Sequence, residues 1–296
     1  MTYVKDIYHD EIRSGWLVMS DAKKVWNRQL EIWAEVDRIC RKHGIIYFAA
    51  YGTLLGAARH KGFVPWDVDF DLCMMRPDFN RFVEILADEL NENVFDFRNM
   101  DYSMLKIFHK QTTLIASTSR EGNPLGLPID VFALDFAYDA SKQNLAAVIA
   151  LKEVFLALND FAKVASVNEQ GGYLFNGWDY LRRLAAEVTD ENDKLAFMRL
   201  YAANLFDQSD TVNCIHDELD NKQPFRKEWF DETIYLPFET IELPAPKMFD
   251  EILTAYYGDW RTPVRDGKER LGFVHSADVP YEEFLSRVDA NLIAKN

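Results

Sequence analysis

Basic residues are scarce in this chain: 33 Lys and Arg stand against 48 Asp and Glu, for a formal charge of −15. That deficit excludes a protein built to grip nucleic acid, because neutralising phosphates needs clustered cations. No nucleic-acid partner is expected, although a few local cations can still reverse the field within one cleft. Cysteine is also sparse. Cys40, Cys73 and Cys214 are odd in number, far apart and outside any CxxC pattern, so neither a disulfide framework nor a zinc site is expected and a reducing cytoplasm fits best. Met1 to Asp6 lacks the apolar run of a leader peptide. Long apolar runs are missing as well: the stretch 145–162 is broken by Lys152 and Glu153, short of the about 20 apolar residues a bilayer span requires. It reads as a buried or half-buried helix, with peripheral membrane contact as the alternative. No internal repeat, Walker loop, G-x-S-x-G or H-E-x-x-H occurs, so P-loop, serine-hydrolase and zincin chemistry have no support.

What is present is a large apolar complement, 48% of 296 residues, enough for one large domain or two modest ones. From Ser20 the residues Val25, Trp26, Leu30, Ile32, Trp33, Val36 and Ile39 recur at helical spacing and stop at Gly44. A short β-rich run, 45–50, precedes a turn at Gly52-Thr53 and about two helical turns from Leu54 to His60. After a Gly- and Pro-marked loop, 68–74 alternates apolar and acidic positions, which predicts a strand with Asp69 and Asp71 on one face. Pro77 opens the next helix. Short strands are predicted over 94–98, 103–109, 112–117 and 127–135, then mostly helices over 141–207 with an aromatic patch at Tyr173, Phe175, Trp178 and Tyr180, read as core or interface. An extended stretch covers 229–246, a helix covers 247–257, and Arg265, Lys268, Arg270 and His275 form a basic cluster read as a lid over the ligand. The order predicts an α/β (α+β) mixed sheet flanked by helices. It is one catalytic unit with a core over about 20–140 and a mostly helical extension over about 141–296.

The chemistry concentrates in 51–71. Glycine lets backbone N–H groups approach a phosphate and a following helix N-terminus favours an anion, so Gly52 and Thr53 are candidate phosphate holders. Arg59, His60 and Lys61 are candidate diphosphate cations. Asp69 and Asp71, two apart on a strand, set hard oxygen ligands side by side, which suits Mg²⁺ or its substitute Mn²⁺, and Asp130 on another strand is the candidate third carboxylate. Asp67-x-Asp69-x-Asp71 imitates a calcium loop, but Leu72 and Asp78 occupy the positions that need Gly and Glu.

The run Gly52-Thr53-Leu54-Leu55-Gly56-Ala57-x-Arg59-His60-Lys61-Gly62-Phe63-x-Pro65-Trp66-Asp67-x-Asp69-x-Asp71 closely resembles the signature of the LicD family. These are phosphocholine transferases related to fukutin within the nucleotidyltransferase fold. Blocks at 39–48, at Lys106 with Thr112-Thr113, at 129–135, at 236–239 and at 257–260 are similar to later family blocks. One departure is Val68, which stands where the family commonly has the middle of three aspartates. The resemblance implies a nucleotidyltransferase-like core, donor phosphates on Gly52, Thr53 and Lys106, and metal and catalysis at Asp69, Asp71 and Asp130. It also implies a donor such as CDP-choline or a related CDP-alcohol. The acceptor would be a glycan of the cell surface: lipopolysaccharide, teichoic acid or capsule. Trp66, Tyr173 and Trp178 are the aromatic candidates for a quaternary ammonium. Transfer of a nucleotidyl group, or ligand binding without turnover on the same fold, are the alternatives.

Overall fold

The computed structural model describes residues 2–101, 103–115, 126–137, 210–214, 224–264, 274–281 and 283. The predicted helices of 141–207, the aromatic patch with Tyr173 and Trp178, and Arg265, Lys268 and Arg270 lie outside these residues.

A small hairpin, β1 (Glu11–Arg13) and β2 (Trp16–Val18), leads into α1 (Ser20–His43). α1 buries the apolar stripe expected of it, Trp26, Leu30, Ile32, Val36 and Ile39 among others, and ends where Gly44 takes the left-handed conformation. Then follow β3 (Phe48–Ala49), α2 (Tyr51–His60), β4 (Asp71–Met75), α3 (Arg76–Glu89), β5 (Phe95–Asp101), β6 (Met104–His109), β7 (Thr113–Ile115) and β8 (Leu127–Phe136). Later elements are β9 (Thr211–Asn213), β10 (Phe225–Arg226), a single 3₁₀ turn, the hairpin β11 (Thr233–Phe238) and β12 (Ile241–Pro246), α4 (Phe249–Tyr257) and β13 (Val274–Ser276).

β8 is the spine. It pairs with β4 in parallel on one edge and with β6 and β9 antiparallel on the other, within a seven-stranded mixed sheet that also holds β3, β5 and β10. α1 and α3 pack against this sheet, so the α/β class expected from the element order is observed. Central-strand residues Leu72, Met74, Leu105, Ile107, Val131 and Ala133 are fully buried. The join of β4 to α3 is pinned beneath the surface. Arg76 Nε and Nη2 donate to Asp135 Oδ1 and Oδ2, both at 2.6 Å, and the Arg76 guanidinium lies over the Phe79 ring.

Two boundaries differ from expectation. The helix starts at Tyr51, so Gly52 and Thr53 belong to its first turn rather than to a turn before it. β4 starts at Asp71, so Asp69 precedes the strand. The cause is Asp67, whose Oδ1 accepts the N–H groups of Val68 and Asp69 at 2.9 and 3.3 Å and turns that backbone away from a ladder.

Candidate functional site

Three charged residues form a row across adjacent strands. Asp71 on β4 is in register with Asp130 on β8, and Asp130 with Lys106 on β6. Lys106 Nζ donates to both oxygens of Asp130, at 2.7 and 2.6 Å. Burial, then the charges of Asp130 and Asp67, push the Asp71 carboxyl well above the ordinary carboxylate range. Asp130 is also raised by burial, against the lowering effect of Lys106. Two carboxylates thus share a single compensating ammonium, and the surplus negative charge is the kind a divalent cation neutralises.

Among the described residues no group of three His, Cys, Asp or Glu side chains is close enough to hold a metal ion. Mg²⁺ commonly takes only one or two protein carboxylates together with substrate phosphates and water, so a seat made of Asp71 and Asp130 fits it. Asp69, half-buried just upstream, is not assembled into a three-carboxylate cluster.

Each part of this row is held from behind. Thr53 is buried, and its Oγ1 accepts the Asp71 N–H at 2.8 Å, so the hydroxyl ties α2 to β4. Ala50 N–H donates to the Asp71 carbonyl on the same junction. Trp26 Nε1 donates to the Asp67 carbonyl, and Gln29 Nε2 donates to the Val68 and Pro128 carbonyls, so α1 sets the acidic loop against the start of β8. Val68 therefore contributes its backbone. Gly52 is needed for contact: a Cβ there would lie 2.3 Å from Asp67 Oδ2. The residue preceding α2 makes no side-chain cap, and the Asp67 carboxylate lies against the first turn at Gly52.

The three cations after α2 divide. Arg59 Nη1 donates to the Trp260 carbonyl at 2.7 Å and Nε donates to His60 Nε2 at 2.9 Å. Because Arg59 donates to Nε2, that nitrogen holds no proton, and Nδ1–H is left to donate to Ser14 Oγ at 3.1 Å. Burial, with Arg59 and Arg13 nearby, lowers His60 to about 4. The sequence reading of His60 as a cation is therefore corrected: it is neutral at pH 7 and orients Arg59. Lys61 is exposed and left-handed at the helix end. His275 is exposed on β13, in register with Leu114 and within electrostatic reach of Asp21. Trp66 packs against Trp16 and His60 with the Arg59 guanidinium 6.0 Å from its ring, a poor seat for a second cation.

A pH prediction follows from His60. Its folded value of about 4 lies below the ordinary 6.5, so its contribution to stability is present above pH 6.5 and is lost as pH falls through about 4. His60→Gln should flatten the decline of the urea unfolding midpoint across that window. An unchanged decline would show that His60 protonates as freely folded as unfolded.

Two later blocks that resembled family motifs serve as clamps. Glu239 accepts from Arg13 and from the Phe63 N–H, and its own N–H donates to the Lys61 carbonyl, closing the loop after α2. Trp260 Nε1 donates to Asp250 and its carbonyl receives Arg59. The Arg76–Asp135 pair and the role of Asp67 in shaping the loop were missed from sequence; the acidic residue inside a buried strand was the available signal for the first.

A mixed sheet thus presents a carboxylate pair beside the start of α2. Residues 44–146 match the family model described as LicD/FKTN/FKRP, nucleotidyltransferase domain. The Haemophilus influenzae protein named lipopolysaccharide cholinephosphotransferase LicD is 26% identical to the chain, across 75% of it and 84% of the relative. Uncharacterized proteins of Rickettsia typhi and Rickettsia prowazekii are 38% and 36% identical over 56 residues, 19% of this chain and 18% and 21% of theirs. Among the described residues no helix is long and apolar enough to cross a membrane.

Proposed function

We propose that the protein is a Mg²⁺-dependent transferase that moves phosphocholine, or a similar phospho-alcohol, from a CDP-linked donor to a sugar hydroxyl of a cell-surface glycan, working at the cytoplasmic side. The observation that carries this reading is the Asp71–Asp130–Lys106 row, tied to the first turn of α2 through Thr53, inside the segment that matches the LicD family model. The name of the Haemophilus relative, a lipopolysaccharide cholinephosphotransferase, supports phosphocholine as the group transferred and a glycan-bearing acceptor.

Asp71 and Asp130, with Asp69 adjoining, would hold Mg²⁺ or Mn²⁺, which when bound neutralises the charge developing on the diphosphate. The backbone N–H groups of Gly52 and Thr53 face the donor phosphates at the helix N-terminus. Arg59, steadied by neutral His60, adds a fixed cation, and Lys61 an adjustable one. Asp130 accepts the proton of the attacking sugar hydroxyl as its oxygen bonds to the phosphorus of phosphocholine and the bond to CMP breaks. In the present arrangement both Asp130 oxygens are engaged by Lys106, so the step requires Lys106 to turn toward the donor phosphates. Arg270 and His275 are proposed to approach the donor from the C-terminal segment.

A panel of CDP-alcohols incubated with the protein and Mg²⁺ tests the reading. CMP release should be fastest with CDP-choline, should rise with acceptor glycan and should stop on chelation by EDTA. Release that persists in EDTA would remove the metal from the account. A nucleotide appearing on the acceptor would favour nucleotidyl transfer instead.

A further inference from the structure

The hairpin that precedes α1 reverses the usual polarity of its two faces. Ser14 and Gly15 at its tip take φ values of +52° and +78°, as a tight two-residue turn between antiparallel strands requires. Cross-strand partners share a face, so Glu11 lies beside Val18 and Arg13 beside Trp16 on one side, and Ile12 beside Leu17 on the other. A surface hairpin ordinarily buries its apolar side and shows its polar side to water. Here the charged side faces the protein. Lys23 on α1 is fully buried and donates to Glu11 Oε2 at 2.9 Å, and Arg13 pairs with Glu239 and lies over the Trp26 ring at 5.2 Å. Trp16 packs on Trp66 at 5.6 Å.

The opposite side shows Ile12 at 70% and Leu17 at 55% exposure, and Met19, two residues further along extended backbone, continues it at 59%. Tyr8, 76% exposed, stands just before the hairpin. Four of the eight large hydrophobic side chains exposed among the described residues thus fall within one short segment, which marks a surface patch rather than scatter.

Two features choose what covers it. Each strand is three residues long, too short an edge for another chain to add a strand, and a standard protein interface draws about 20–30 residues from each side. A lipid surface needs no matching shape: aliphatic side chains held outward enter the boundary between headgroups and acyl chains, and a tyrosine beside them sits at headgroup level. At the rim, Asp10 accepts the Ser20 N–H and Asp21 pairs with Lys24. With an overall charge of −15 as well, nothing here attracts anionic lipid, so the contact is apolar.

We propose that the outward face of this hairpin, Ile12, Leu17 and Met19 with Tyr8, docks the protein on a bilayer surface by shallow apolar insertion. Its underside is fixed to α1 and to Glu239 in the β11–β12 turn, so the face is already ordered before it meets lipid. Ser14 at the tip accepts from His60, which steadies Arg59. Docking therefore brings that end of the site to headgroup level, where an acceptor carried on a lipid anchor would meet it. The docking itself does not depend on the transfer chemistry.

The test is flotation of the full chain with vesicles of phosphatidylcholine alone and of phosphatidylcholine mixed with phosphatidylglycerol, at low and high salt. Beside it runs the double variant Ile12→Thr with Leu17→Thr, its thermal midpoint serving as the check on folding. Threonine keeps the preference for strand and both positions are exposed, so the variant should fold. The wild type should float with phosphatidylcholine alone, high salt should leave the bound fraction unchanged, and the double variant should bind at least about tenfold more weakly. CMP release from CDP-choline in solution should be the same for both chains, so a failure of docking and a failure of the transfer reading are seen separately. A wild type that stays unbound at saturating vesicles, equal binding by the folded double variant, or binding only to anionic vesicles and abolished by salt overturns the proposal. So does a wild-type dimer in sedimentation that the double variant loses, which assigns the face to a second copy. If the double variant fails to fold, Ile12→Trp decides: quenching by brominated acyl chains beyond that of the wild type supports insertion, and its absence overturns it.

Discussion

Asp71→Asn is expected to lower transfer about a thousandfold, close to 4 kcal/mol of transition-state stabilisation, while the chain stays folded. Asn keeps the shape of the side chain, and the bonds that hold this position to Thr53 and Ala50 come from its backbone N–H and carbonyl. The carboxylate itself is a burden to the fold, since burial and the neighbouring charges of Asp130 and Asp67 raise it well above its ordinary range. Its removal should leave the thermal midpoint unchanged or higher. Loss of activity combined with unaltered or increased stability is the signature of a group kept for chemistry. Asp67→Asn is the matched control: its Oδ1 still accepts from Val68 and Asp69, so most activity should remain. Wild-type turnover in Asp71→Asn with Mg²⁺ still required would move the metal to other residues.

The second large effect concerns stability. Arg76 and Asp135 form a bidentate pair at 2.6 Å with side chains 0% and 2% exposed. Removing one partner of a buried ion pair strands the other charge and costs about 3–5 kcal/mol. Asp135→Ala should therefore shift the urea midpoint by that amount, a large share of a domain's stability of about 5–15 kcal/mol. The double variant Arg76→Met with Asp135→Leu should recover much of the loss, since an apolar pair of similar volume escapes the desolvation penalty. A single variant that unfolds like the wild type would mean that water reaches the pair.

The sequence was most legible where a single period dominated. α1 ended at Gly44 as expected, Pro77 fell in the first turn of α3, and the strand expected over 127–135 is β8. Errors arose where a side chain competes with the backbone. Asp67 captures two backbone N–H groups, so the alternating 68–74 run becomes a strand only from Asp71. No periodicity encodes that capture. Asp130 was singled out as a carboxylate on another expected strand, but the register that places it beside Asp71 arises from a parallel pairing between strands more than fifty residues apart, which no local pattern encodes. His60 was misread because its charge depends on Arg59 and Arg13, which sequence does not place around it.

The central claim is that a phospho-alcohol, not a nucleotide, leaves the donor. The most direct measurement is the mass of the acceptor glycan after incubation with CDP-choline, Mg²⁺ and the full-length chain, read beside the CMP released. The account predicts a gain of one phosphocholine per CMP in the wild type and neither product in Asp71→Asn. A cytidylyl group on the acceptor, or CMP released while the glycan mass stays unchanged, would contradict it.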